Sequence, residues 1–202
     1  MVECLCTEEN DCFFSVDYNS VEVEPVKKAK GFTLIELLVV VAIIGIIATV
    51  LVSYGPQYIH NAKQKGTMKD ISALATACAS YAAISGEAPA SGIQEGILTP
   101  GNAFIMAVSP EHMPVCPIKD KWGNPLMVYT GVKTARIGGF TPEMVGKEDF
   151  IIISYGRDGV EEAFVYDPYD PEKGSFDIVT MADYGKDLIN WNANWIRGPF
   201  VK

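Results

Sequence analysis

Glu36 opens a stretch of 23 positions, residues 37–59, that carries no charged side chain. A carboxylate on a helix inside a membrane costs on the order of 2.5–3.5 kcal/mol even on the lenient insertion scale, so something must offset it. One answer is local. Thr33-Leu34-Ile35-Glu36 reads as a capping box, with Thr33 as N-cap and Glu36 reaching back to its amide. The positive end of the helix dipole also favours a carboxylate there. Gly31 suggests a second chemistry, peptide cleavage beside a small residue. Ordinary secretory signals place that residue after the apolar run, whereas Gly31 precedes it, behind Lys27, Lys28 and Lys30. A cut at Gly31 would leave the apolar helix on the mature chain.

At a rise of 1.5 Å per residue, 23 residues of helix reach about 34 Å, enough for a hydrocarbon core of about 30 Å. Beyond it, Met68, Ile71, Ala75, Cys78 and Ala82 recur at spacings of three and four, which predicts an amphipathic helix over 60–85. Gly55-Pro56 is expected to interrupt the two segments, because proline lacks a donor and clashes with the preceding turn. From residue 86 onward Gly and Pro punctuate short elements. A helix is predicted over 100–108 with Thr99 as cap, and strands over 126–130, 150–155, 163–166 and 176–180. The expected fold is α+β, a long N-terminal helix on a small antiparallel sheet.

The chain has 202 residues, 49% hydrophobic and 20% charged, which suits one folded domain plus an apolar element. A net charge of −9 argues against a partner with a phosphate backbone, so nucleic acid is not expected. Residues 1–25 hold seven acidic side chains and no basic one, and resemble neither a signal nor a domain. Translation is expected to begin at Val26, read as an alternative initiation codon. Cys4, Cys6 and Cys12 have no neighbouring His, which gives zinc little support. Cys78 and Cys116 are left either as a disulfide or as two separate thiols. With only His60 and His112, no nucleophile elbow and no phosphate loop, an enzyme is not expected.

Gly31-Phe32-Thr33-Leu34-Ile35-Glu36 followed by an apolar helix resembles the N-terminus of type IV pilins and pseudopilins. The resemblance implies that a prepilin peptidase cuts after Gly31 and methylates the new N-terminus at Phe32. It also makes Glu36 the assembly residue, paired with the Phe32 ammonium of a neighbouring subunit. The homo-polymer would form through the N-terminal helix, with membrane lipid around the unassembled subunit. Lysines flank both ends of the apolar run, so charge alone leaves its orientation open. The resemblance implies a single pass through the inner membrane, with the carboxy-terminal domain in the periplasm. It also places the helix-breaking proline three positions earlier than Pro56, where this chain has Ser53.

A second set of segments is similar to the major pseudopilins of type II secretion systems. Asp120-Lys121-Trp122-Gly123-Asn124-Pro125 resembles their D-P-W-G-N turn, with Lys121 in place of proline. Ser154-Tyr155-Gly156-Arg157-Asp158-Gly159 resembles their S-x-G-x-D-G loop, and Asp187-Leu188-Ile189-Asn190-Trp191 their closing D-I-x-N-W. This likeness implies structural calcium bound by Ser154, Asp158 and Asp187. An insertion, residues 160–186, carries Asp167, Asp170, Asp177 and Asp183 as further ligands or as turn residues. The implied organisation is a leader over 1–31, a membrane and polymerisation helix over 32–59, an amphipathic helix over 60–85 and a globular domain over 86–202. The implied function is a pseudopilus subunit that drives protein export, with prepilin peptidase, an inner-membrane assembly platform and minor pseudopilins as partners. The alternative is a type IV pilin for adhesion, motility or DNA uptake.

Overall fold

The computed structural model describes residues 31–200 apart from Pro171, together with two short paired strands, β1 (Cys4–Cys6) and β2 (Cys12–Phe14). The expected start at Val26 and the basic leader lie outside the described residues. The chain divides into two compact units, Met1–Ile47 and Ala48–Lys202.

Helix α1 spans Leu34–Ser85. It ends where Gly86 turns left-handed at φ +77° and its N–H still reaches the Ala82 carbonyl at 2.8 Å. Glycine tolerates that conformation without a Cβ clash. The interruption expected at Gly55-Pro56 does not occur, and α1 continues through both residues. A proline removes only its own donor and crowds one carbonyl, while the turns on either side keep their bonds.

The domain continues through β3 (Glu95–Ile97), α2 (Ala103–Val108), β4 (Met127–Thr130), β5 (Phe150–Ser154), β6 (Ser175–Phe176), β7 (Leu188–Trp191) and β8 (Asn194–Pro199). These strands form one sheet in the order β3-β4-β5-β7-β8-β6, antiparallel except for the β6–β8 pair. The fold is α+β, as expected.

Strand alternation divides the core between two faces. Val128, Phe150, Ile152 and Leu188 pack with Ile71, Leu74, Ala75 and Cys78 of α1 and with Phe104 and Val108 of α2. Tyr129, Ile151, Ile153 and Ile189 point the other way, against Ile137, Phe140 and Val145. A central strand covered on both faces has no reason to alternate apolar with polar, and β5 reads Phe-Ile-Ile-Ile-Ser.

Several boundaries differ from expectation. The helix predicted over 100–108 starts at Ala103, and its cap is Asn102, whose side chain accepts the Phe104 N–H at 3.0 Å. Thr99 instead accepts the Asn102 N–H on its carbonyl, in a turn through Gly101 at φ +80°. The strand predicted over 163–166 is a single bridge from Val165 to Gly138, and the one over 176–180 ends at Phe176. Cys78 and Cys116 are both free thiols. Burial raises the pKa of each, that of Cys116 to about 11.

Ile152 is fully buried between α1 and the sheet. Ile152→Ala should destabilise the protein by about 2–5 kcal/mol in denaturant unfolding, whereas Ile93→Ala, on an exposed side chain, should change stability by less than about 0.5 kcal/mol.

Candidate functional site

The N-terminal site is built from one turn of chain. Glu36 Oε2 accepts the Thr33 N–H at 3.0 Å and the Thr33 hydroxyl at 3.1 Å. The Glu36 N–H donates to Thr33 Oγ1 at 3.3 Å. The capping box is therefore formed within the single chain, and these bonds to the carboxylate all go to Oε2. Phe32, Ile35, Glu36, Val39 and Val40 line a shallow groove beside it. No atom lies within 4 Å of where a Cβ on Gly31 would stand, and its φ is outside the left-handed range. Among the described residues, neither packing nor backbone conformation calls for glycine here. The adjoining stretch Leu34–Val52 is long and apolar enough to cross a membrane, and its residues are exposed.

The turn at 120–124 performs a different task. Asp120 Oδ1 accepts the N–H groups of Trp122 at 2.9 Å and Asn124 at 2.8 Å, and its Oδ2 accepts the Ser154 hydroxyl at 2.9 Å. The turn then grips α1. Trp122 Nε1 donates to His60 Nδ1 at 3.2 Å, the Lys121 N–H donates to Thr67 Oγ1 at 3.0 Å, and Lys121 Nζ pairs with Asp70 at 2.6 Å. Lysine in place of proline has a physical account here, since proline has neither the amide donor nor the ammonium.

The expected calcium ligands separate. The Ser154 hydroxyl is engaged with Asp120 and the Gly156 N–H, so it belongs to the turn. Asp158 and Asp187 lie on facing loops. Gly156, at φ +61°, packs so closely on 185–186 that a Cβ would stand 2.6 Å from the Gly185 carbonyl oxygen. Asp158 Oδ2 lies 2.7 Å from where a Cβ on Gly185 would stand. Asp187 is 1% exposed. Its Oδ2 accepts the Glu162 N–H at 2.8 Å, and its Oδ1 is buried with no partner among the described residues. Burial raises its pKa to about 7, the Glu162 and Asp158 carboxylates add to the rise, and Arg197 opposes it.

The unsatisfied Oδ1 fits a cation, because a buried acceptor without a donor carries a desolvation penalty that a bound ion relieves. Among the described residues no group of three or more His, Cys, Asp or Glu gathers as a metal site. Main-chain carbonyls would have to complete the set. Two acids of the insertion are engaged elsewhere. Asp183 caps a 3₁₀ helix, Met181–Gly185, by accepting from Val179, Thr180 and Lys186. Asp167 closes a turn with Tyr169 and Lys173. Sequence reasoning missed Glu162 and Arg197, which form an ion pair beside Asp187. The Arg197 guanidinium also lies over the Phe164 ring. Neither residue stands in a recognisable pattern.

A family model described as the prokaryotic N-terminal methylation motif matches residues 26–52. No curated protein and no solved structure matches the chain.

His60 offers a test of the turn. Burial, then Arg157 and then Lys63, lower its pKa, so the folded state binds its proton less readily than the unfolded state. Stability carried by the neutral ring is present above the unfolded value of about 6.5 and is lost as pH falls through the folded value. Asp187 titrates in the opposite sense over part of this range, so the comparison is with His60→Gln, which retains an acceptor for Trp122. Wild type should lose melting temperature relative to that variant between pH 7.5 and 5.5, with a change in Trp122 fluorescence. Parallel curves would contradict the assignment. The N-terminal segment, for its part, carries the methylation motif typical of type IV pilin-like proteins, which implies processing by a prepilin peptidase and polymerisation into a filament.

Proposed function

We propose that this protein is the major structural subunit of a type II secretion pseudopilus, inserted in the inner membrane with its carboxy-terminal domain in the periplasm. Subunits added at an inner-membrane assembly platform, with minor pseudopilins, would push folded proteins outward. The observation that carries a polymerising role is the processing motif joined to an uncovered apolar helix. Support for secretion comes from the 120–125 turn, the 154–159 loop and the 187–191 segment, which follow the order of the major pseudopilins. In this reading Glu36 pairs with the Phe32 ammonium of a neighbour.

The mature protein should begin at methylated Phe32 by mass spectrometry. Deleting the gene should abolish exoprotein secretion and leave twitching motility intact, and Glu36→Ala should reproduce the loss. Normal secretion with lost twitching would favour a type IV pilin instead.

Calcium belongs to the same proposal. Asp187 and Asp158 would hold it, with backbone oxygens, and the ion would supply structural cross-linking of two loops. A chelator should lower the melting temperature and added calcium should restore it. Asp187→Asn should weaken that response. A melting temperature indifferent to both additions would remove the metal.

A further inference from the structure

Counted along the helix from Glu36, a hydrocarbon core of about 30 Å ends near residue 56. The chemistry of α1 changes in an ordered way around that boundary. Tyr54 and Tyr58 straddle it, 58% and 72% exposed, where aromatic side chains concentrate at membrane interfaces. Lys63 and Lys65 follow, roughly 10–14 Å beyond it. Tyr54, Tyr58 and Lys65 share one side of α1 within about 40° of arc, while Gln64, Thr67 and Ile71 are buried on the other.

The globular domain brings a third base to this level. Tyr184 donates its hydroxyl to the Gln57 carbonyl at 3.3 Å, and its ring centre lies 5.6 Å from that of His60. The Arg157 N–H donates to the Tyr184 carbonyl at 2.8 Å, which ties the exposed Arg157 to the same turn of α1. After burial, the charges of Arg157 and Lys63 are what lower the His60 pKa, so both stand close to that ring. Among the described residues, Lys63, Lys65 and Arg157 form no ion pair. Nearby carboxylates have partners of their own. Asp70 pairs with Lys121 and Asp183 with Lys186. Asp158 accepts the Val160 N–H and turns its other oxygen toward Gly185, and Asp177 is engaged within the chain. Even with Asp158 and Asp177 counted in full, the exposed Lys69 keeps this patch positive on a chain whose net charge is −9.

We propose that Lys63, Lys65 and Arg157 bind the phosphates of anionic phospholipid headgroups, with Tyr54 and Tyr58 setting their depth. The headgroup layer is about 5–7 Å thick on each side, and screening at physiological salt leaves about 8 Å more within reach. All three bases fall inside that range. Arg157 presents a planar fork to a phosphate, and the two lysines act as point charges. The contact rests on the membrane insertion proposed above.

The test uses the full mature chain in phosphatidylcholine vesicles with trace spin-labelled phosphatidylglycerol or spin-labelled phosphatidylcholine. Electron spin resonance reads the motionally restricted fraction of each lipid, and so their relative affinity. At low salt phosphatidylglycerol should be favoured by about fivefold or more, since each base near a charged surface contributes about that factor. About 1 M salt should erase most of the preference. Replacing all three bases by glutamine (K63Q, K65Q and R157Q) should cut it below about twofold and leave the circular dichroism spectrum unchanged. Lys147→Gln should keep it, because the Lys147 carbonyl accepts the Ala88 N–H past the far end of α1. No preference in the wild type, or an equal one in the triple variant, would overturn the proposal. So would carbodiimide cross-links from Lys63 or Lys65 to a second copy in place of the lipid preference. Insertion is read separately by carbonate extraction. A chain that carbonate releases would remove the membrane reading itself, whereas one that resists and shows no preference would remove only the headgroup contact.

Discussion

The apolar surface of Leu34–Val52 dictates the terms on which this chain exists, because its side chains stand exposed. Leu, Ile and Val side chains left in water at that density would drive indiscriminate association. Two environments remove the penalty. Lipid does so for a single chain, and the same surfaces of other copies do so in an assembly. Burial is nearly equal in the two cases, so apolarity cannot choose between them. The choice falls to groups whose partners differ between the two environments, and in the function proposed above Glu36 would be such a group.

Beyond the apolar run, α1 must be held by the domain it carries. The buried face from Ile71 to Cys78 provides adhesion, while the 120–124 turn provides location. Trp122, Lys121 and Asp120 fasten His60, Thr67 and Asp70 to the end of β5 through directional bonds. Apolar packing alone tolerates sliding along a helix. Two hydrogen bonds and an ion pair to three residues within three turns of α1 do not.

The parts of this architecture written in local patterns were legible. The 3.6 period over 68–82 identified the buried face of α1, and the apolar run at 150–155 identified the strand β5, whose cover on both faces only the structure shows. β3 was not legible, since Glu-Gly-Ile has no strand signature and pairs only because Val128 stands opposite. Asn194–Pro199 contains Gly and Pro, and is a strand through its pairing with β7. Pro56 misled because helix rules count the lost bond and not the intact turns around it. Asp158 and Asp187 stand on loops whose resemblance to a family nominated them as ligands, and the structure brings those loops together. Ser154 could not be distinguished as a turn residue, because its engagement with Asp120 crosses 34 positions of sequence. Arg197 and Glu162 meet for the same nonlocal reason.

Glu36 shows how one residue can serve both environments. In the single chain its Oε2 is already satisfied by Thr33, so the carboxylate would enter lipid with part of its desolvation offset. A neighbouring ammonium in a filament would then add only the difference between that cap and an ion pair. In a low dielectric such pairs contribute modest net energy, because desolvation consumes much of the Coulomb term. They do punish misalignment, since a charge displaced from its partner in lipid has no water to turn to. In the proposed filament the carboxylate would therefore set axial register, while the surrounding apolar surface would supply the adhesion.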